Sequence, residues 1–308
     1  MSLMAKKKYP KNHLHPRYWP TWLMIGSLHL IAWLPWPLKM AAGRLFGRLA
    51  YWFARERRHF TEVNVRLCFP EQSPQEQQQL VRDIFRAGGL GVVEIATGLV
   101  RDVSFLKDRI TFAGREHLDK ALAEGKGAII LGIHFSVMDL GGALHGLFYK
   151  VDAIYKPHKN PVFDRFILKG RQRHFDQMIP HHDLKGLVRR VRQGHAAWYS
   201  PDQDFGRKVS VFAPFFGVQA ASITMTARMA RMTGAPVLPL RIHRNPDDRT
   251  YTLEYLPPLE NFPSGDDVAD ATQVNQVIEQ LIRIHPEQYL WMHRRFKTRP
   301  DSTDPGLY

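Results

Sequence analysis

Residues 127–140 read GAIILGIHFSVMDL, and the way this run is divided decides the fold. The apolar part is only a few residues long and is bounded by Gly127 and Gly132, which suits a buried strand better than a helix. The two polar side chains that follow, His134 and Asp139, are five positions apart. On one continuous helix they would point about 140° apart, since each residue turns the chain by about 100°. A strand ending near Ile133 and a helix running through VMDLGGALHGLF changes that geometry. His134 then stands at the carboxyl edge of a sheet, where open α/β folds place their ligands, and Asp139 falls in the first turn of the helix. Two uses of that arrangement follow. A carboxylate beside an imidazole fixes its tautomer and raises its basicity, as a general base requires. Alternatively, Ser136-x-x-Asp139 is a capping box, with the aspartate serving only a backbone amide.

Outward from this stretch the pattern repeats. SPQEQQQLVRDIFRAGGLGVVEIATGLV reads as a helix with Ser73 as cap and Pro74 at its first position. DAIYK is a strand, and NPVFDRFILKGRQRH opens a helix capped by Asn160. HDLKGLVRRVRQG is a helix between Asp183 and Gly194, and AAWYS is a strand opening into PDQDFG. ASITMTARMARMTG reads as a helix, APVLPLRIH and YTLEYL as strands, and ATQVNQVIEQLIRI as the last long helix. Strands alternating with helices predict an α/β fold, a central mostly parallel or mixed sheet flanked by helices.

The chain has 308 residues, 44% of them hydrophobic, and a formal charge of +14. That excess points to an anionic partner: a phospholipid surface, a phosphorylated substrate or nucleic acid. No RRM, KH or zinc-finger pattern is present, and the tryptophans cluster in an apolar run instead of interleaving with basic residues, which argues against nucleic acid. The single cysteine, Cys68, excludes an intrachain disulfide and reads as a core residue. YWPTWLMIGSLHLIAWLPWPL, residues 18–38, carries four tryptophans and no Asp, Glu, Lys or Arg, with Lys6, Lys7, Lys8 and Lys11 before it and Arg44 and Arg48 after. It reads as a hydrophobic membrane helix. Its proline-free part, Thr21 to Leu34, would cover about 21 Å of a core about 30 Å thick, so spanning and lying in the interface both stay open. A signal peptide fits poorly, because KMAAGRLFGRLAYWFARERRHF continues as a basic amphipathic helix. The expected organisation is a membrane anchor over residues 1–40 and a catalytic domain over 41–308.

Further candidates lie in three places. Lys156, His158, Lys159, Arg165, Lys169, Arg171 and Arg173 form a basic constellation suited to phosphate, or to the C-terminal dipole of their own helix. Asp202 and Asp204 follow a strand end, where a turn explains them as well as a site does. His181 and His182 are adjacent and lack partners at ligand spacing, so no metal is expected. No G-x-S-x-G elbow occurs, so the hydroxyl that His134 would activate belongs to a substrate.

Taken in order, HPRYWPTW, NVRLCFPEQS, GIHFSVMDL, NPVFDRF with GRQRH, WYSPDQDFGRK, FAPFFG and PEQYLWMHRRFKTRP closely resemble the late acyltransferases of bacterial lipid A biosynthesis. These are the lauroyl, palmitoleoyl and myristoyl transferases, within the lysophospholipid acyltransferase superfamily. The enteric members carry glutamate where this chain has Asp139, whereas aspartate is the superfamily's commoner choice. The resemblance implies transfer of a fatty acyl group from acyl carrier protein, a co-substrate, to a hydroxyl of Kdo-lipid IVA at the cytoplasmic face of the inner membrane, with no cofactor. It implies His134 as general base and Asp139 as the residue that orients and charges it. It further implies Arg171 on an acceptor phosphate, with Arg173 or Lys156 as helpers, and the loop of Asp202 and Asp204 shaping the acceptor site. VLPL, residues 237–240, would lie beside the acyl chain. HPRYW and the tail favour the lauroyl/palmitoleoyl branch. An acyltransferase of another glycolipid or of a lysophospholipid is the nearer rival.

Overall fold

The computed structural model describes residues 10, 12–301 and 303–308. Lys6, Lys7, Lys8 and Lys11, expected to flank the apolar run, lie outside the described residues. The chain begins with four helices, α1 (Trp19–Trp33), α2 (Trp36–Phe53), α3 (Arg55–Cys68) and α4 (Pro74–Val100). It then alternates: β1 (Ile110–Ala113), α5 (Arg115–Ala123), β2 (Ala128–Leu131), α6 (Met138–His145), β3 (Val151–Tyr155), α7 (Pro161–Arg171), β4 (Met178–Pro180), α8 (Leu184–Arg192) and β5 (Ala196–Tyr199). The hairpin β6 (Ser210–Phe215) and β7 (Val218–Ile223), then α9 (Met225–Thr233), β8 (Val237–Arg244), β9 (Tyr251–Tyr255) and α10 (Asp267–Ile284) complete it.

Seven strands form one sheet in the order β1-β9-β8-β2-β5-β3-β4, parallel throughout except between β8 and β9. The expected α/β class and mostly parallel sheet are therefore present. β2 and β5 sit side by side near its centre, and their side chains are buried on both faces, as a strand inside a parallel sheet must be. β1, β4 and the β6–β7 hairpin were not foreseen. They are short, or their apolar alternation is broken by Pro214 and by the turn through Phe216 and Gly217, which both take positive φ. Ala221–Ile223, expected to start a helix, instead close that hairpin.

The caps follow the chemistry of their residues. Ser73 accepts from the Glu76 amide while Glu76 reaches back to the Ser73 amide, a complete capping box under α4. Asn160 caps α7 and Asp183 caps α8. α2 and α3, expected as one helix, break at Ala54.

α1 is apolar on two opposite stripes. Thr21, Ile25, Leu28 and Ala32 are buried, with Ala96 and Leu99 of α4 and Val162 and Phe166 of α7 completing their cluster. Trp19, Leu23, Leu30 and Trp33 are exposed on the other side. α2 crosses α4 with the backbones almost touching. A Cβ on Gly47 would sit 2.4 Å from the Phe85 carbonyl, and one on Gly89 2.3 Å from that of Gly43, so only glycine fits. Lys39, buried beside this crossing, donates to the Ala32 carbonyl and to Thr97. Burial, reinforced by the charge of Arg101, lowers its pKa to about 8. α2 too exposes a stripe, Leu38, Leu45, Leu49 and Trp52. No helix among the described residues is long and apolar enough to cross a membrane. The boundary expected at residue 40 falls inside α2.

Candidate active site

β2 and β5 run parallel in register, Ala128 against Ala196 and Leu131 against Tyr199. Extending that offset by three residues brings His134 opposite Asp202, and the two side chains meet there. The imidazole Nδ1 lies 2.6 Å from Asp202 Oδ1, and the His134 backbone amide donates to Oδ2 at 2.9 Å. A carboxylate only accepts, so Nδ1 carries the proton and Nε2 presents its lone pair. No protein group hydrogen-bonds Nε2 among the described residues, and the His134 side chain is 21% exposed, whereas that of Asp202 is fully buried.

The segment is held from behind by the C-terminal stretch that follows α10. Ser136 donates its amide to the Gln288 carbonyl and Leu290 donates to that of His134, forming a bridge between Phe135 and Tyr289. The Tyr289 hydroxyl donates to the Asp202 carbonyl at 3.2 Å. Burial alone would lower the pKa of His134, but the charge and hydrogen bond of Asp202, with the charge of Asp139, outweigh it and raise the imidazole above its ordinary value. Burial likewise opposes ionisation of Asp202, yet the charge of His134 and its two hydrogen bonds keep the carboxyl below the usual carboxylate range.

The expected His134–Asp139 contact is absent. Asp139 does lie in the first turn of α6, but that helix is capped by Val137 without a side-chain bond, so the capping-box reading fails as well. Asp139 is instead taken by Arg171 at the end of α7: Nε and Nη2 both reach Oδ1, at 2.8 and 2.7 Å. The close approach of α4, where a Cβ on Gly98 would meet the Asp139 backbone at 3.3 Å, seats this turn. Arg171 thus stands beside the site while its neighbour Arg173 does not share that role. Arg173 donates to the Leu99 and Val100 carbonyls and closes the end of α4. Asp204 is equally engaged in structure, accepting from the Gly206 amide and from the amide and hydroxyl of Thr298 in the tail. Lys156 is exposed on the loop after β3, with β5 between that strand and β2.

Two residues near the pair carried no signal in the linear sequence. His293, whose Nδ1 bonds the Leu290 carbonyl, has its pKa lowered chiefly by burial and lies within electrostatic reach of Asp202 and His134. Tyr199 is buried next to Asp202 with an unbonded hydroxyl, and burial raises its pKa beyond the ordinary phenol range.

A family model described as bacterial lipid A biosynthesis acyltransferase matches residues 6–298. The chain is 40% identical to the lipid A biosynthesis lauroyltransferase of Escherichia coli K12, over 98% of each chain. It is 37% identical to the palmitoleoyltransferase of that organism, over 95% of this chain and 96% of the other. With the myristoyltransferase the identity is 28%, over 97% and 93%.

Proposed function

The chain belongs to the bacterial lipid A biosynthesis acyltransferases, and on that premise we propose that it moves a fatty acyl chain from acyl carrier protein to a hydroxyl of a Kdo-bearing lipid A precursor. The observation that carries the reading is the imidazole of His134: Nδ1 held by a carboxylate, Nε2 open at the carboxyl edge of the sheet, and the Arg171 guanidinium close by. In this reaction Nε2 takes the proton of the acceptor hydroxyl as its oxygen attacks the thioester carbonyl. The tetrahedral intermediate collapses by breaking the carbon–sulfur bond, and the imidazolium returns its proton to the departing sulfur. Arg171 offers the charge for an acceptor phosphate. The higher identity to the lauroyl and palmitoleoyl enzymes supports that branch of the family.

The outward apolar stripes of α1 and α2 support a seat on a membrane surface. Tryptophans at both ends of α1 suit the headgroup region, and the basic composition suits anionic lipids at the inner face of the inner membrane. A catalytic centre fixed to that surface meets the acceptor where it resides. The test is transfer by purified protein in detergent, with acyl carrier protein thioesters of graded chain length and Kdo-lipid IVA, read by mass spectrometry. A gain of one acyl chain is expected. It falls by about 10² to 10⁴ in His134→Ala, the usual contribution of a positioned acid–base group. A folded variant retaining activity within about tenfold of wild type excludes His134 as the base.

A further inference from the structure

We propose that Asp202, and not Asp139, is the carboxylate that positions and charges His134, while Asp139 serves to hold Arg171. The assignment rests on the acyl-transfer reading above and deepens it. The aspartate nearest in sequence is not the one the fold delivers. Strand pairing carries Asp202 to His134 because both lie three residues past the paired ends Leu131 and Tyr199. Asp202 then binds at two points, Nδ1 and the main-chain amide, so it fixes the ring's orientation relative to the backbone as well as its tautomer. It is fully buried, and no guanidinium salt-bridges its charge among the described residues. The Asp139 charge, by contrast, is neutralised at contact distance by Arg171. The charge of Asp139 also raises the imidazole, but without touching it, and the charge of Arg171 opposes that effect.

During transfer Asp202 stays ionised: the hydroxyl proton goes to Nε2 and then to sulfur, while the proton on Nδ1 never leaves. The charged or titratable groups facing His134 are Asp202 beyond β5, Asp139 on α6, Arg171 on α7 and His293 in the C-terminal segment. Their separate removal is therefore diagnostic.

The experiment uses full-length protein in detergent with 15N-labelled histidine. The His134 signals are identified by their loss in His134→Gln, and the imidazole is titrated in wild type, Asp202→Asn and Asp139→Asn. In wild type the Nδ1–H form, with its proton shifted far downfield by the carboxylate, is expected. Asp202→Asn abolishes that signal, lowers the titration midpoint of His134, and reduces kcat/KM by about 10²-fold or more with a changed pH profile. Asp139→Asn keeps the signal, moves the midpoint less, and raises the acceptor KM more than it lowers kcat. A midpoint that moves as far in Asp139→Asn as in Asp202→Asn overturns the assignment. If Asp202→Asn does not fold, loss of the downfield proton in folded Asp139→Asn overturns it, and retention there supports it. Because the spectra need no substrate, an absent acyl transfer in wild type defeats the functional reading, while the spectra still decide which carboxylate holds the imidazole.

Discussion

β2 and α1 are both written mostly in apolar residues, AIIL and WLMIGSLHLIAW, yet they end in opposite surroundings. Every residue of β2 is at most 1% exposed. On α1 the stripe Ile25, Leu28 and Ala32 is buried while Leu23, Leu30 and Trp33 are 75%, 70% and 66% exposed. An apolar run states only that its neighbours are not water. For β2 those neighbours are strands on both sides, and for half of α1 nothing among the described residues supplies them. The same alphabet thus encodes a core in one place and an exposed apolar stripe in the other.

That contrast breaks most visibly at Ile130. Ile130→Ala, deep in β2, is expected to cost about 2–5 kcal/mol of unfolding free energy, measured by denaturant titration in detergent. A loss below about 1 kcal/mol would mean the sheet centre is loosely packed. Gly47→Leu comes next, because its side chain must enter the α2–α4 crossing where even a Cβ is too close. Overpacking of about 1–3 kcal/mol is expected. An unchanged stability would show that α2 can slide off α4, and α1's companion would then be no fixed part of the fold. The smallest change in stability is predicted for Leu23→Ser with Leu30→Ser, about 0.5 kcal/mol or less per site. Flotation with anionic phospholipid vesicles should nonetheless fall by about tenfold or more, since each leucine removed gives up roughly 1.5–3 kcal/mol of apolar burial. Unaltered flotation would show that the outward stripe of α1 does not meet lipid.

How far the sequence could be read follows the same physics. The strands at the sheet centre and the capped helices α4, α7 and α8 were legible, because a full apolar run and a Ser, Asn or Asp cap are local signals. The short edge strands and the β6–β7 hairpin were not, since their pairing is decided by distant partners. At the site, His134 was legible as a polar residue at a strand end. Its partner was not, because proximity along the chain favoured Asp139, and the meeting with Asp202 depends on the register of β2 with β5. The two strands AIIL and AAWY, each followed three residues on by a polar side chain, contained that register. Reading it needed the strand order, which no single segment holds. Arg173 and Asp204 were misleading in the opposite way: a charge beside a predicted site proved to be closing a helix and pinning the tail.

Asn160 has one more consequence. Its carbonyl oxygen accepts the first amides of α7, and its amide nitrogen donates to Thr21 of α1 at 2.7 Å. One side chain is therefore both the hinge pin of the helix that ends in Arg171 and the rivet to the helix with the outward apolar stripe. α7 acts as a lever about 15 Å long, at about 1.5 Å per residue, so a tilt of roughly 4° at its riveted end would swing Arg171 by about 1 Å. Misplacements of that size at a reacting centre can cost about a hundredfold in rate. The seating of α1 and the placement of Arg171 are therefore coupled through Asn160, alongside the apolar cluster that already packs the two helices together.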